Sequence, residues 1–436
     1  MSIHVEVELP GGGQARAGDL DMHLNRGGAL VGCTFRYDAA YLRDPRAYAL
    51  CPELPLTPGN IPSGSDRPLF GVLADCQPDQ WGRTLLFHAE RRAARTEGRG
   101  FTTLTEVDFL LGVQDETRLG ALRFSLDDGK TFLGPPRAEV PDLVDLPSLT
   151  DAADAVAQHR ETDKDVRLLV AAGTSMGGAR PKVTVRDSAG DLWMAKLPEG
   201  GDRWDVQAWE YLTLRLASNA GIEVPVARLH RIGPARSILL TRRFDRRPVL
   251  RGPREDPQRS EDASWGGSGG RIGFLSADSL TQKAFFEVID YRTLAETLAD
   301  HSGRPATDGH DLFRRVAFTL LVRNVDDHMK NHGFLRRPDG WSLSPLFDVN
   351  PNPFAVAEST PLRPGGNRID RDVRVLLATA DSYGLRPDDA RRVLGEVAAA
   401  TSGWTRIARE MSLPPEEIAL MAEAFENPNG DEARAA

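Results

Sequence analysis
The sequence predicts an α+β protein of two lobes: a strand-and-helix lobe preceded by an additional β-rich N-terminal subdomain, and an all-α C-terminal lobe. Three textures along the 436 residues predict it. Short alternating apolar segments broken by Gly and Pro run to about residue 135, a mixed stretch follows to about 250, and helical spacing dominates beyond. The corresponding domains are 1–135, 136–250 and 251–436.

The elements follow in order. Residues 5–9 and 29–37 read as strands, the Gly11-Gly12-Gly13 run and 52–62 as breaks, and 82–95 as a helix. Ser148 or Thr150 would cap a helix ending near His159. A glycine-bearing loop at 173–178 leads into a hairpin, 182–186 and 192–197, that turns at Ala189-Gly190. Residues 204–219 have the spacing of an amphipathic helix stopped by Gly221, and 226–232 and 237–244 read as strands. The polar stretch 247–273 reads as a mobile junction. Helices are expected over 280–299, 308–323, 371–383, 387–409 and 415–425.

Composition narrows the function. The net charge is −9, which argues against nucleic-acid binding driven by overall charge. The Arg-rich stretches 91–99 and 242–254 read as solvated surface. Cys33, Cys51 and Cys76 form no C-x-x-C pair, which points to reduced thiols rather than a zinc site. No leader-like or membrane-spanning apolar run is visible, so a cytoplasmic location with no membrane partner is expected. Of the 54 basic residues, only Lys130, Lys164, Lys182, Lys196, Lys283 and Lys330 are lysine. A compact ammonium in a chain that otherwise uses the broad guanidinium invites a local explanation.

The chemistry-bearing constellation is Asn324-Val325-Asp326-Asp327-His328-Met329-Lys330-Asn331. Asp326 and Asn331 have the D-x-x-x-x-N spacing of a protein-kinase catalytic loop, and Asp348 follows where a kinase places its metal-binding acid. An Asp can orient and deprotonate a hydroxyl, while an amide oxygen and a carboxylate suit a hard cation. Upstream, the loop through Gly177, Gly178 and Ala179 to Lys182 could wrap phosphates with backbone N–H groups, although it lacks Walker spacing. Lys196 near the end of the next strand and Glu210 in the next helix complete the order of a kinase N-lobe, in which lysine pairs with acid and holds phosphates. A competing reading makes His328 and His332, with Asp326, Asp327 and His301 or His310, ligands of a hydrolytic metal centre. No H-E-x-x-H supports it.

At these residues the chain resembles the HipA family of serine/threonine-protein kinase toxins from type II toxin–antitoxin systems. The resemblance rests on ordered motifs: Asp75 with 78–83, Arg118 to Phe124, Ser175 to Lys182, Ala195 to Pro198, Glu210-Tyr211, Arg243 to Arg246, Asp326 to Asn331, and Phe347-Asp348. It implies a protein-kinase-like fold whose N-terminal subdomain helps contact a HipB-like helix-turn-helix antitoxin, with DNA reached only through that partner. It implies ATP and Mg²⁺ as cofactors, Asp326 as catalytic base, Asn331 and Asp348 as metal ligands, and Lys196 and the 177–182 loop on the phosphates. Arg242, Arg243 and Phe244 would form the adenine hinge, with His328 and Phe347 near the nucleotide. Ser175 would be autophosphorylated, and the protein target would be an aminoacyl-tRNA synthetase. Two other roles fit the same residues: a nucleotide-binding corepressor partner with little kinase activity, and a small-molecule phosphotransferase. Asp327 departs from the small residue often found after the catalytic Asp; its charge could raise the pKa of Asp326 or alter metal binding.

Overall fold
A computed structural model describes residues 2–135, 139–174, 178–234, 236–249, 269–282, 290–354, 362–364 and 371–435. It divides into two units, 1–200 with 240–275 and 201–239 with 276–436.

The first unit opens with five strands: β1 (Ser2–Glu8), β2 (Gln14–Leu24), β3 (Leu30–Tyr37), β4 (Asn60–Pro62) and β5 (Leu122–Ser125). They form one sheet in the order β4-β3-β2-β1-β5. Alternation drives it, since β1 buries Ile3, Val5 and Val7. The Gly11-Gly12-Gly13 run is the β1–β2 turn. All three glycines have φ between 86° and 97°, a region that costs other residues energy. Two helices of this unit, Gln80–Thr96 and Asp163–Gly173, pack closely on each other. A Cβ on Gly173 would lie 2.8 Å from Leu85 Cδ1, and one on Gly82 would lie 3.0 Å from the Thr174 carbonyl oxygen.

The predicted hairpin is present as β6 (Lys182–Arg186) and β7 (Leu192–Lys196), paired antiparallel from Lys182–Lys196 to Arg186–Leu192. Asp187 builds its turn: one carboxylate oxygen accepts from the amides of Ala189 and Asp191 (both 2.9 Å), and the other from Trp193 Nε1 (2.9 Å). Strands β8 (Ala227–Gly233) and β9 (Arg236–Arg242) complete a sheet of order β6-β7-β9-β8.

The stretch beyond β9 departs from its sequence reading. Arg243, Arg246 and Arg247 were expected on a solvated loop, yet all three are buried. For Arg243 and Arg246 the reason is Asp245, also buried, whose carboxylate accepts from Arg243 Nε and Nη2 (both 2.6 Å), Arg246 Nη1 (2.7 Å) and the Gly120 amide (2.9 Å), whereas Arg247 pairs with Glu8 (2.8 Å). The guanidinium of Arg243 also donates to the Thr117 carbonyl (2.8 Å). Arg118 is enclosed in the same manner, donating to the carbonyls of Leu110 (2.7 Å) and Val113 (3.0 Å). The planar five-donor fork thus serves as an internal strut between backbone segments. Residues 250–254 of this Arg-rich stretch lie outside the described residues, as does most of the expected junction 247–273. The stretch 91–99 fits its reading, with Arg91, Arg95 and Arg99 exposed.

The second unit is mainly helical. Asp205 caps the helix Val206–Asn219 by accepting from the Ala208 amide (3.1 Å). Trp209 on this helix meets Trp404 (6.3 Å between ring centroids), which stacks on Phe425 (4.9 Å). Its indole N–H donates to Glu417 (2.7 Å). The helix expected over 280–299 is interrupted. Ala277–Thr281 ends at Gln282 (φ 53°), and Tyr291–His301 starts afresh behind Asp290, which accepts from the Thr293 amide (2.9 Å). The helix expected over 387–409 is two, Pro387–Thr401 and Trp404–Glu410, broken at Ser402-Gly403. Helix Pro305–Leu321 and the hairpin β11 (Gly333–Arg337) and β12 (Gly340–Leu343) flank the acidic segment; β10 (Phe274–Ser276) neighbours β11. Among the described residues no helix is long and apolar enough to cross a membrane.

Asp245 yields a stability prediction. Burial pushes its carboxyl up, but Arg243 and Arg246 outweigh that and hold it well below the ordinary carboxylate range. Its contribution is therefore present above the unfolded pKa of about 4 and lost as pH falls towards the folded value. Asp245→Ala leaves two buried guanidinium groups without their counter-ion and should destabilise the protein by about 3–5 kcal/mol, read from urea unfolding at pH 7.

Candidate active site
In the second unit, the helix Pro305–Leu321 is stopped by Arg323, a non-glycine residue at φ 51°. The amide of Asn324 reaches back to the Thr319 carbonyl (3.0 Å), and the Arg323 side chain is anchored on the Glu423 carbonyl (2.7 Å). The chain then crosses 324–328 without regular structure and makes one 3-10 turn, Met329–Asn331. Here the side chains diverge: Asp326 is exposed, whereas Asp327 is only 3 % exposed. Asn331 folds back across the loop, its Nδ2 donating to the Asp326 carbonyl (2.9 Å). That commits the amide nitrogen and makes the amide oxygen the atom suited to a hard cation.

Asp348, in the irregular segment after β12, also has left-handed backbone, φ 57°. Strain of this kind in a non-glycine residue clusters at functional positions. Asp348 lies close enough to Asp326 to act on its charge. Desolvation raises the Asp326 pKa, half-buried His328 opposes this, and Asp348 and then Asp327 add to the rise. The expected influence of Asp327 on its neighbour is therefore present, but its carboxylate is directed inward. It accepts from the Tyr291 hydroxyl and bonds His332 Nε2 (2.9 Å). Burial would raise the Asp327 pKa; His332, the Tyr291 hydroxyl and Arg371 outweigh it and hold it low. Among the described residues no group of three or more His, Cys, Asp or Glu is placed to hold a metal ion. Glu210 is buried on the helix Val206–Asn219, Phe347 is half-buried, and Lys330 is exposed.

The first unit holds the basic group. Lys196 and Lys182 are directly opposite each other in the β6–β7 register, 8 % and 6 % exposed. Gly178 has φ 94°, and a Cβ there would stand 2.7 Å from Lys182 Nζ, a position only glycine fills. Its amide donates to Asp79 Oδ2 (2.8 Å), its carbonyl accepts from the Trp81 amide (3.2 Å), and Trp81 Nε1 donates to the Lys182 carbonyl (3.0 Å). Thus the N-terminal end of the helix Gln80–Thr96 brackets the loop. Asp79 and Trp81 belong to the motif 78–83, and nothing in its sequence signals this role. Ala179 is exposed; Ser175 and Gly177 lie outside the described residues. Of the hinge residues, Arg243 is committed to Asp245 and, through its amide, to the Leu192 carbonyl (2.9 Å). Arg242 and Phe244 are half-buried, with Phe244 beside Phe274 (6.4 Å).

Residues 174–404 match the model of the HipA-like C-terminal domain family. The chain belongs to the HipA-like C-terminal domain family. Among solved structures, a chain of the Shewanella oneidensis complex of the toxin–antitoxin proteins HipA and HipB with operator DNA is similar over 100 % of this chain and 99 % of its own, at 16 % identity and TM-score 0.67. This is likeness of fold, the kinase-like α+β class expected from sequence. The Helicobacter pylori proinflammatory kinase CtkA matches 58 % of this chain and 93 % of its own, at 12 % identity and TM-score 0.38. No curated protein matches the chain. The family match contains both the acidic loop and the two paired lysines.

The loop bracket gives a prediction. Asp79→Ala strips the Gly178 amide of its acceptor and should cost about 1–2 kcal/mol. Hydrogen exchange at that amide should accelerate while exchange at the β1 amides stays as in the parent.

Proposed function
We propose that the chain is an ATP- and Mg²⁺-dependent serine/threonine protein kinase acting as the toxin of a type II toxin–antitoxin system. The observation that carries this reading is the grouping of Asp326, Asn331 and Asp348, with Asn331 locked onto the Asp326 backbone and Asp348 in left-handed conformation. The donor set fits the implied cofactors. The Asn331 amide oxygen and the Asp348 carboxylate are hard oxygen donors suited to Mg²⁺. Lys182, Lys196 and the backbone around Gly178 suit phosphates, with Gly178 leaving the space that a Cβ would fill. The nucleotide would supply the phosphoryl group, and the metal would neutralise its charge.

The protein's own part is positioning and proton transfer. Asp326 is exposed, so a substrate hydroxyl can reach it. Its raised pKa makes it a better proton acceptor than an ordinary aspartate. Lys196 would hold phosphate oxygens as a point charge. By family resemblance, Ser175 is the autophosphorylation site and an aminoacyl-tRNA synthetase the target. The HipB of the Shewanella complex supports a HipB-like antitoxin as the partner that brings this chain to DNA.

Incubation with γ-labelled ATP and Mg²⁺ should label Ser175. Asp326→Ala should reduce phosphate transfer by about 10²–10⁴-fold, and Lys196→Arg should cripple it although the charge is kept. Undiminished labelling in Asp326→Ala would remove Asp326 from the base role.

A further inference from the structure
The acidic segment contains two residue pairs with the same spacing. Asp326 and Asn331 are joined across the loop, and so are the next residues along, Asp327 and His332. The first pair presents the Asp326 carboxylate at the surface, with Asn331 buried beneath it on the Asp326 backbone carbonyl. The second lies inside, with Asp327 and His332 each 3 % exposed. A carboxylate is an acceptor only, so His332 Nε2 carries the proton in this bond. The other Asp327 oxygen accepts a hydrogen bond from the Tyr291 hydroxyl, and Tyr291 is the first residue of the helix Tyr291–His301. The Tyr291 ring also meets the His332 ring edge-on (5.8 Å, 80°). Arg371 donates to the Asn324 carbonyl (2.7 Å), bracing the start of the same segment.

We propose that Asp327, with His332 and Tyr291, forms a positioning rung that fixes the loop carrying Asp326 and Asn331, without touching substrate itself. The inference rests on the kinase reading for its meaning and on geometry alone for its existence. The inner rung fixes the two residues that directly follow Asp326 and Asn331. Rotation of either site residue out of place must therefore break a buried bond to a charged group. Such a bond is costly to lose where water cannot replace it. Neighbouring Asp residues thus divide the work: one faces the substrate, and the other holds the loop that presents it.

The test uses the full chain and compares the parent with Asp327→Ala, Asp327→Asn and Tyr291→Phe. Phosphate transfer is measured at saturating and limiting ATP and normalised to the fraction of protein that binds nucleotide. Exchange of the 326–332 amides is followed in parallel. The expected result is a drop in kcat of about 10–100-fold for Asp327→Ala with KM for ATP within about twofold, since misplacement of reacting groups affects turnover first. Asp327→Asn keeps an acceptor and should recover part of the loss. Tyr291→Phe removes one oxygen and should fall between, with faster exchange confined to the loop. It carries the test if Asp327→Ala does not fold. Unchanged kcat per binding-competent site in the folded variants overturns the proposal. So does a parallel loss of binding, turnover and global stability. If the parent transfers no phosphate, the kinase reading fails instead. Loop exchange then decides alone, and unaltered exchange in Tyr291→Phe sinks the rung.

Discussion

A carboxylate can be taken out of water only if other groups replace the water, and much of this chain is arranged to meet that requirement. Asp245 meets it with two guanidinium groups and a backbone amide, and so draws together segments more than a hundred residues apart. Asp327 meets it with an imidazole and a phenol, and so joins a short loop to the start of a helix. The two solutions differ in kind. Arginine bridges distance and collects carbonyls, which suits a strut; the His–Tyr pair is compact and directional, which suits a hinge that must not move. Removing either centre would strand its partners in a medium that cannot solvate them.

Sequence revealed the parts governed by short-range rules. The β6–β7 hairpin, the helix beginning near residue 205 and the motif Asp326 to Asn331 depend on spacing and capping, and these are local properties. The break in the expected helix over 280–299 was also local in principle, because Asp290 is a residue type that caps helices. It was hidden by apolar spacing that continues through it. The burial of Arg243, Arg246 and Arg247 was not legible although Asp245 stands beside them in sequence, because their other partners lie at Glu8, Gly120 and Thr117. A run of arginines looks the same on paper whether its partners are water or distant backbone.

At the site the division is similar. The outer rung announced itself through a familiar spacing, whereas the inner rung lay one residue out of register with it. The doubled Asp326-Asp327 against Asn331-His332 was visible as text, but nothing in text says which member of each pair faces inward. The role of the N-terminal part in holding the Gly178 loop needed Asp79 and Trp81 to be seen beside it. The cysteines required less. All three are buried and unbridged, and burial pushes the Cys76 thiol up to about 12, which makes it a poor nucleophile.

The opposed lysines have an evolutionary consequence. Lys182 and Lys196 share one face of the hairpin only because the turn between β6 and β7 has its present length, fixed by the Asp187 carboxylate. A strand alternates faces with every residue, so a single-codon insertion or deletion in that turn that shifted the pairing would send one ammonium to the other side. Lineages of this protein are therefore free to vary the letters of the turn, but not their number. Gaps at 187–191 should be rarer than substitutions there, an imprint of charge geometry on the pattern of indels.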